Sequence, residues 1–327
     1  MQILQQIRED FEAYLSEHPI EGQPRELYDP VEYILQLGGK RFRPTVLLLS
    51  TYLFGGAYAH ALPAAGAIEF FHNFTLAHDD IMDEAPVRRG RPSVHKKFGI
   101  NTGILAGDVL MVQAFNALLG MDTTRPELLK KVLDIFTRQA IGVCEGQQMD
   151  LNFETRDDVT IEEYLKMIEL KTAVLVGAAM QIGALLGGAS DADATALYQF
   201  GCHLGIAFQL QDDLLDTYGD PEKFGKKAGG DIVKNKKTIL YLKALELATP
   251  PQRKALSSMF AHSDLSDKEK IEKVISLYDR VAVKPEAEML RDQYREKAFE
   301  FLSLAEAPAK RKSVMEKFAL ALMERQV

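Results

Sequence analysis

A chain of 327 residues, 46% hydrophobic and 26% charged, has the apolar material for a globular protein with a sizeable core. Its net charge of −8 argues against generic nucleic-acid binding through a basic surface. Two cysteines, Cys144 and Cys202, in helix-like segments without metal-type spacing, exclude a disulfide framework and read as buried thiols of a reducing cytoplasm.

The first stretch, MQILQQIREDFEAYL, carries early acidic residues and no apolar core of signal type. The motif GGKRFRP at 38–44 follows, a Gly-Gly turn that lets backbone approach a ligand closely while offering Lys40, Arg41 and Arg43. Pro44 suits the first turn of the helix beyond it. Apolar residues then recur every three or four positions over 61–83, 102–120, 127–150, 161–186, 192–217 and 236–248, which predicts buried helices. The stretches 252–262, 267–280, 283–303 and 306–325 are more charged and predict outer, amphipathic helices. The apolar run 173–189 is short for a membrane span and is interrupted by Gln181 and four glycines, so it predicts a core helix. No alternating β-branched run predicts a sheet, and no linker, repeat or low-complexity tract divides the chain. The expectation is a single all-α domain over 1–327, a helical bundle around a central cavity.

Two segments carry the chemistry. TLAHDDIMDEAPVRRGRP (75–92) places Asp79, Asp80 and Asp83 at the end of one apolar helix, with Arg88 and Arg89 just beyond a Pro86 loop. FQLQDDLLDTYGD (208–220) repeats the arrangement with Asp212, Asp213 and Asp216. At about 100° per residue, the first and last aspartates of each motif share one face of the helix, one turn apart, and the middle one sits at the edge of that face. Six converging carboxylates would raise one another's pKa and destabilise the fold unless cations bridged them. An all-oxygen set suits Mg²⁺, which takes few carboxylates and completes its octahedron with phosphate oxygens and water. Arg guanidinium groups fit phosphate in bidentate fashion. Lys226, Asp231 and Lys236 lie in the Gly-rich stretch KFGKKAGGDIVKNKKT, and Lys171 and Thr172 in ELKTA. Each basic residue alone is an ordinary surface charge, and each acidic motif alone an ordinary solvated helix end. Together they supply the charge for two diphosphates, one held through metal and one directly.

In that order and spacing, G-G-K-R-x-R-P, D-D-x-x-D with R-R-G, the G-Q-x-x-D of Gly146 to Asp150, K-T, F-Q-x-x-D-D-x-x-D and G-K-x-x-G-x-D resemble the trans-isoprenyl diphosphate synthases. The resemblance spans 38–238, about the length of that family's catalytic core. It implies an all-α, usually homodimeric, Mg²⁺-dependent prenyltransferase that joins isopentenyl diphosphate to an allylic diphosphate. By position, Lys40, Arg43, His72 and Arg89 would hold isopentenyl diphosphate, and Asp79, Asp83 and Asp212 would ligate Mg²⁺ around the allylic diphosphate. Arg88, Lys171, Lys226 and Lys236 would contact that diphosphate. Thr172 and Gln209 would steady the allylic cation and the proton transfer, with Asp80, Asp213 and Asp216 as supporting carboxylates and Asp231 in the lysine loop. The sequence departs from the family at Asn235, where Gly is usual, though Asn tolerates left-handed geometry.

Phe74 precedes Asp79 by five residues, about 7.5 Å along a helix, Thr75 is small, and Phe71 lies one turn deeper. In the family a bulky residue at that position without one beside it resembles enzymes of C20 product, and paired aromatics go with C15. The expected product is geranylgeranyl diphosphate, with farnesyl diphosphate as the alternative. All three phenylalanines Phe70, Phe71 and Phe74 could equally be plain core. A terpene cyclase would leave Lys40, Arg43 and His72 without a purpose. An HD-type phosphohydrolase, suggested by His72 and His78-Asp79, would want further histidines as ligands. A non-catalytic subunit of a heteromeric synthase is hard to reconcile with two complete acidic motifs.

Overall fold

The computed structural model describes residues 2–121, 125–219, 229–261 and 265–323. They are overwhelmingly helical, as expected. In chain order come α1 (Gln2–Glu17), α2 (Arg25–Gln36), α3 (Phe42–Gly55), α4 (Leu62–Met82), α5 (Val94–Phe98), α6 (Ile100–Leu119), α7 (Pro126–Glu154), α8 (Ile161–Ile168), α9 (Val174–Leu186) and α10 (Asp191–Tyr218). Helices over Ile239–Leu247, Pro250–Ala261, Asp267–Arg280, Val283–Leu304 and Ala309–Met323 follow.

Two departures from the sequence reading matter. A two-stranded hairpin, β1 (Val87–Arg88) and β2 (Arg91–Pro92), stands where only a loop was expected. The single helix expected over 161–186 is interrupted by a π-turn at Glu169–Ala173 between α8 and α9. Periodicity reports neither feature: the strands are two residues long, and one inserted residue leaves the apolar pattern almost intact.

The chain divides into two compact units. The first comprises Met1–Ala140, Ala178–Tyr198 and Ala305–Met315. Its core helix α3 buries Pro44 through Thr51 without interruption, so no face of that segment meets water, and α4 is buried likewise from Ala64 to Phe71. Gly183 and Gly187 of α9 face the carbonyls of Leu47 and Thr51, and a Cβ at either would collide with α3 backbone. Glycine therefore sets that helix–helix distance. The second unit comprises Ile141–Gly177, Gln199–Leu304 and Glu316–Val327. Its core gathers Tyr164, Ile168, Leu210, Leu214, Ile239, Tyr241, Val274 and Tyr278.

Helices Ile100–Leu119 and Ile161–Leu186 are both long and apolar enough to cross a membrane; the most apolar window of the second is 72% buried. That of the first, also expected to be a buried helix, is only 33% buried, because one apolar side of it packs against nothing among the described residues of this chain. Cys202 is buried as expected, but Cys144 is exposed: Gly142, Val143 and Gly146 take the buried positions of that stretch of α7.

Candidate active site

In the first unit, the Gly-Gly turn works through left-handed backbone: φ is 73° at Gly38, 140° at Gly39 and 44° at Arg41, the residue preceding α3. Its three basic residues divide their labour. Lys40 is exposed. Arg41 is buried, donating to Glu12 (2.8 Å), to the buried Glu69 (2.6 Å) and to the carbonyl of Leu35 (2.9 Å). It anchors the loop and is satisfied by protein. Arg43 is the opposite case. Its Nη1 lies 3.2 Å from His72 Nε2, and its Nε is buried with no hydrogen-bond partner. Burial and the nearby Arg89 push Arg43 down to about 10. His72 is held well below the usual imidazole range by burial and by Arg43, Arg89, Arg88 and Arg41. The imidazole is therefore neutral and accepts from Arg43 at Nε2, which leaves its proton on Nδ1. A guanidinium with an orphaned buried N–H, beside a histidine kept neutral by surrounding cations, has hydrogen-bonding capacity left for an anion from outside.

The first acidic motif ends α4. Glu84 adopts φ 50°, Glu84 N donates to Ile81 O (3.2 Å) and Ala85 N to Asp80 O (2.9 Å), the paired bonds of a Schellman stop. The chain then enters the hairpin, in which Val87 pairs with Pro92 and Arg88 with Arg91. The loop is two residues, Arg89 (φ 53°) and Gly90 (φ 76°), both in the left-handed region that such loops require. This return brings Arg88 onto Asp80, with Nε 3.0 Å from Oδ1 and 3.2 Å from Oδ2, and leaves Arg88 Nη2 3.7 Å from Asp79. Asp80 is 1% exposed, while Asp79 and Asp83 are half-buried. The middle carboxylate thus lies inside the unit rather than at the edge of an open face. It orients Arg88, which was expected to contact diphosphate. Arg89 is pinned from its other side: a Cβ on Gly39 would stand 2.7 Å from its guanidinium carbon.

In the second unit, the π-turn carries Lys171 and Thr172, and two glycines hold it. A Cβ on Gly146 of α7 would lie 2.8 Å from Lys171 Cα and from the Leu170 carbonyl carbon; one on Gly205 of α10 would lie 2.8 Å from Ala173 Cα. One turn beyond each glycine a polar side chain reaches the same turn. Asp150 accepts from Lys171 Nζ (2.6 Å), and Gln209 Oε1 accepts from Thr172 Oγ1 (3.4 Å). The glycine and aspartate of G-Q-x-x-D therefore act as one device, the first admitting the backbone and the second fixing the lysine.

The second acidic motif repeats the logic of the first. Asp213, the middle residue, is 4% exposed, and Asp212 and Asp216 are half-buried. Asp213 accepts from Tyr164 Oη, from Gln209 Nε2 (3.1 Å) and from the Ile239 amide (3.4 Å). Burial and Asp231 push its carboxyl up to about 8, against the pull of these donors. Asp216 serves the lysine loop: its Oδ2 accepts from the Asp231 amide (2.9 Å) and its backbone carbonyl from Gly229 N (2.6 Å). Lys236 N in turn donates to Asp231 O (2.9 Å). Asn235 takes the expected left-handed backbone, φ 57°, and its side-chain oxygen is held by Lys270. Lys226 lies outside the described residues.

Among the described residues no three acidic, histidine or cysteine side chains converge into a metal cage. The donor set nonetheless fits Mg²⁺. Asp79 and Asp83 offer hard oxygens one turn apart, Asp83 N donating to Asp79 O (2.8 Å), and Mg²⁺ leaves most of its octahedron to phosphate and water. The aromatic residues of α4 lead into a chain: the Phe71 ring lies tilted 5.3 Å from Phe74 and edge-on 5.4 Å from Phe136, which meets Phe115 edge-on at 5.2 Å. Phe74 is 8% exposed, and Thr75 Oγ1 donates to His72 O (2.8 Å). His78 packs over Gly107 with Nε2 3.0 Å from Ile104 O and 3.8 Å from Asp108 Oδ1, a local role in which no three metal-ligating side chains gather among the described residues.

Known proteins match this architecture. The sequence model described as polyprenyl synthetase matches residues 24–278. The chain belongs to the polyprenyl synthetase family. It is 47% identical over 224 residues to a geranylgeranyl diphosphate synthase of Methanosarcina mazei, covering 68% of this chain and 69% of that one. It is 42% identical over 272 residues to the geranylgeranyl diphosphate synthase of Sulfolobus acidocaldarius, covering 82% and 80%. The crystal structure of geranylgeranyl pyrophosphate synthetase from Pyrococcus horikoshii superposes with a TM-score of 0.92 at 35% identity, over 99% of this chain and 98% of that one. The chain is accordingly a trans-isoprenyl diphosphate synthase, and the cyclase and phosphohydrolase alternatives are not favoured.

Within this polyprenyl synthetase, sequence reasoning missed the residues that support others. Glu69 is a lone acid in the apolar run AAGAIEFF, a pattern that signals a buried partner for a cation, here Arg41. Tyr164 looks like one more core aromatic, and only its contact with Asp213 sets it apart.

Two outcomes are expected. Gly146→Ala forces backbone off the π-turn and should cost about 1–3 kcal/mol of stability, read by thermal melting, with a loss of turnover. Because His72 has a depressed folded pKa, it contributes nothing above its unfolded pKa of about 6.5. Below that pH the unfolded chain takes up a proton the folded one refuses, so stability falls. Melting temperatures at pH 7.5 and 5.5 should drop more steeply for the parent protein than for His72→Asn; equal slopes would show that the imidazole is not held neutral.

Proposed function

We propose that this synthase condenses isopentenyl diphosphate with an allylic diphosphate to give geranylgeranyl diphosphate. The observation that carries the reading is the Arg43–His72 pair with its orphaned guanidinium N–H, which suits a diphosphate bound without metal. Lys40, Arg43, His72 and Arg89 hold isopentenyl diphosphate. Asp79, Asp83 and Asp212 hold Mg²⁺ with the allylic diphosphate, which Arg88, Lys171, Lys226 and Lys236 also contact. Bound there, Mg²⁺ would supply charge neutralisation for the departing diphosphate. The chain's own part is to orient the two substrates and to exclude water. Thr172 Oγ1 and Gln209 Oε1 present oxygen dipoles to the allylic cation, and the carboxylates Asp80, Asp213 and Asp216 hold Arg88, Gln209 and the lysine loop in place. Asp213, whose carboxyl is pushed up to about 8, already accepts at both oxygens from Tyr164, Gln209 and the Ile239 amide, so the departed diphosphate takes the proton.

The C20 product follows from Phe74, buried about 7.5 Å along the helix from Asp79, and from the names of the relatives. Incubation with isopentenyl diphosphate, Mg²⁺ and each allylic primer, followed by sizing of the products, tests the reading. A C20 product supports it; no consumption of isopentenyl diphosphate, or cyclised hydrocarbon from the primer alone, overturns it. Phe74→Ala should lengthen the products, and an unchanged distribution removes Phe74 as the floor.

The enzyme is further proposed to be a cytoplasmic homodimer without a membrane span. Leu105, Val112 and Leu119 of α6 are 55%, 61% and 61% exposed at seven-residue intervals, a stripe fit for a second helix of the same kind. Asn101, Asp108 and Asn116 interrupt the same helix, which suits a protein interface better than lipid. Sedimentation should give a dimer for the parent chain and a monomer for Val112→Glu.

A further inference from the structure

The hydrogen bonds around the second acidic motif run in one direction. Thr172 Oγ1 donates to Gln209 Oε1, Gln209 Nε2 donates to Asp213 Oδ1, and Tyr164 Oη donates to Asp213 Oδ2. Every hydrogen in this chain points towards the buried carboxylate. The amide of Gln209 turns its nitrogen to Asp213 Oδ1 (3.1 Å) and its oxygen to Thr172 Oγ1 (3.4 Å), so the two hydrogen bonds agree on which end faces which partner. With its hydrogen committed to Gln209, the hydroxyl oxygen of Thr172 keeps its lone pairs for whatever lies beyond. The alternative amide orientation would present two N–H hydrogens, a positive edge, where a carbocation is to form.

From this geometry we infer that Tyr164 is a positioning residue for the condensation, acting through Asp213 to fix which end of the Gln209 amide faces the reacting carbon. Nothing else about Tyr164 requires a hydroxyl. Its ring lies in an apolar cluster with Ile168, Leu210 and Leu214, where phenylalanine would pack as well. The hydroxyl spends its bond on Asp213, and the only other donor to that carboxylate oxygen among the described residues is the Ile239 amide at 3.4 Å. Without Tyr164 Oη the carboxylate can rotate about its χ angles, and the amide of Gln209 loses its fixed orientation. The short α8 and the long α10 are thus coupled at the point where the π-turn delivers Thr172.

The inference rests on the proposed roles of Thr172 and Gln209, and the test separates the two. Parent enzyme, Tyr164→Phe, Gln209→Ala and the double variant are compared with isopentenyl diphosphate, Mg²⁺ and the best allylic primer, alongside their melting curves. If the parent enzyme does not condense the substrates, the functional reading fails before the inference is reached. Given an active parent, Tyr164→Phe should lower kcat on the order of 10- to 100-fold with both KM values unchanged. On the Gln209→Ala background it should cost nothing further, because the group it orients is gone. A kcat within twofold of the parent, a loss expressed in KM alone, or additive losses in the double variant would overturn the inference. Should Tyr164→Phe fold poorly, Asp213→Ala serves instead: it removes the oxygen that accepts from Gln209 Nε2, and the same selective fall in kcat is expected. Retention of parental kcat by that variant would equally overturn the inference.

Discussion

The organisation of this enzyme depends on the burial of one carboxylate in each D-D-x-x-D. Asp80 and Asp213 face inwards, at 1% and 4% exposure, and each spends its hydrogen-bonding capacity on protein. A buried carboxylate without partners would be prohibitively costly, so each dictates a set of donors around it. Around Asp80 the donor is Arg88, and satisfying it requires the Schellman stop, the two-residue loop and the left-handed Arg89 that folds the strand back. Around Asp213 the donors are Tyr164, Gln209 and the Ile239 amide, and satisfying it ties α8 and the helix over Ile239–Leu247 to α10. The outer aspartates are then carried on helix ends whose orientation is already fixed. Repulsion among like charges is relieved by giving them different tasks.

A second constraint is the treatment of cations. Arg41 and Arg43 are separated by one residue, yet Arg41 is saturated by Glu12, Glu69 and a carbonyl, whereas Arg43 has a neutral histidine and an unpaired N–H. Removing either carboxylate partner of a buried pair such as Arg41–Glu69 typically costs about 3–5 kcal/mol. The stability of the loop therefore rests on Arg41, which leaves Arg43 free to be matched by an anion. Arg41 is itself left-handed (φ 44°) whereas Arg43 lies in the first turn of α3, and that change of backbone is what sends the two in different directions.

Much of this was legible in the sequence because its signals are local. The helices over 62–82, 100–119 and 191–218 follow from apolar periodicity to within a few residues, since the apolar residues of each recur at helical spacing. The pairing of Asp with x-x-D and of Arg with Arg-Gly named the charged residues, and Asn235 took the backbone its side chain tolerates. What stayed hidden depends on non-local approach. The π-turn at Lys171 exists because α7 and α10 close on it through Gly146 and Gly205, separated from each other by 59 positions. No window of sequence contains both. The inward turn of the middle aspartates is likewise set by partners 8 and 49 residues away. Cys144 was misplaced for a related reason: small Gly142 and Gly146 take the inner face that an apolar-looking thiol would otherwise claim.

The glycines and the carboxylates solve one problem together. A carbocation has no hydrogen-bonding direction of its own, so a protein can favour it only with dipoles whose orientation was settled before the cation formed. Side chains on an ordinary helix are spaced by its pitch and retain rotamer freedom. An extra residue in the turn displaces Lys171 and Thr172 from that spacing, and two glycine contacts keep the displaced backbone from relaxing. Asp150 and Gln209 then remove the remaining freedom of the two side chains, each from one turn beyond its own glycine. Gln209 is itself fixed by Asp213, and Asp213 by Tyr164. Asp213 and Tyr164, at 4% and 2% exposure, are buried where Gln209 is only partly so, and the precision proposed for the reacting end is inherited from that rigid core.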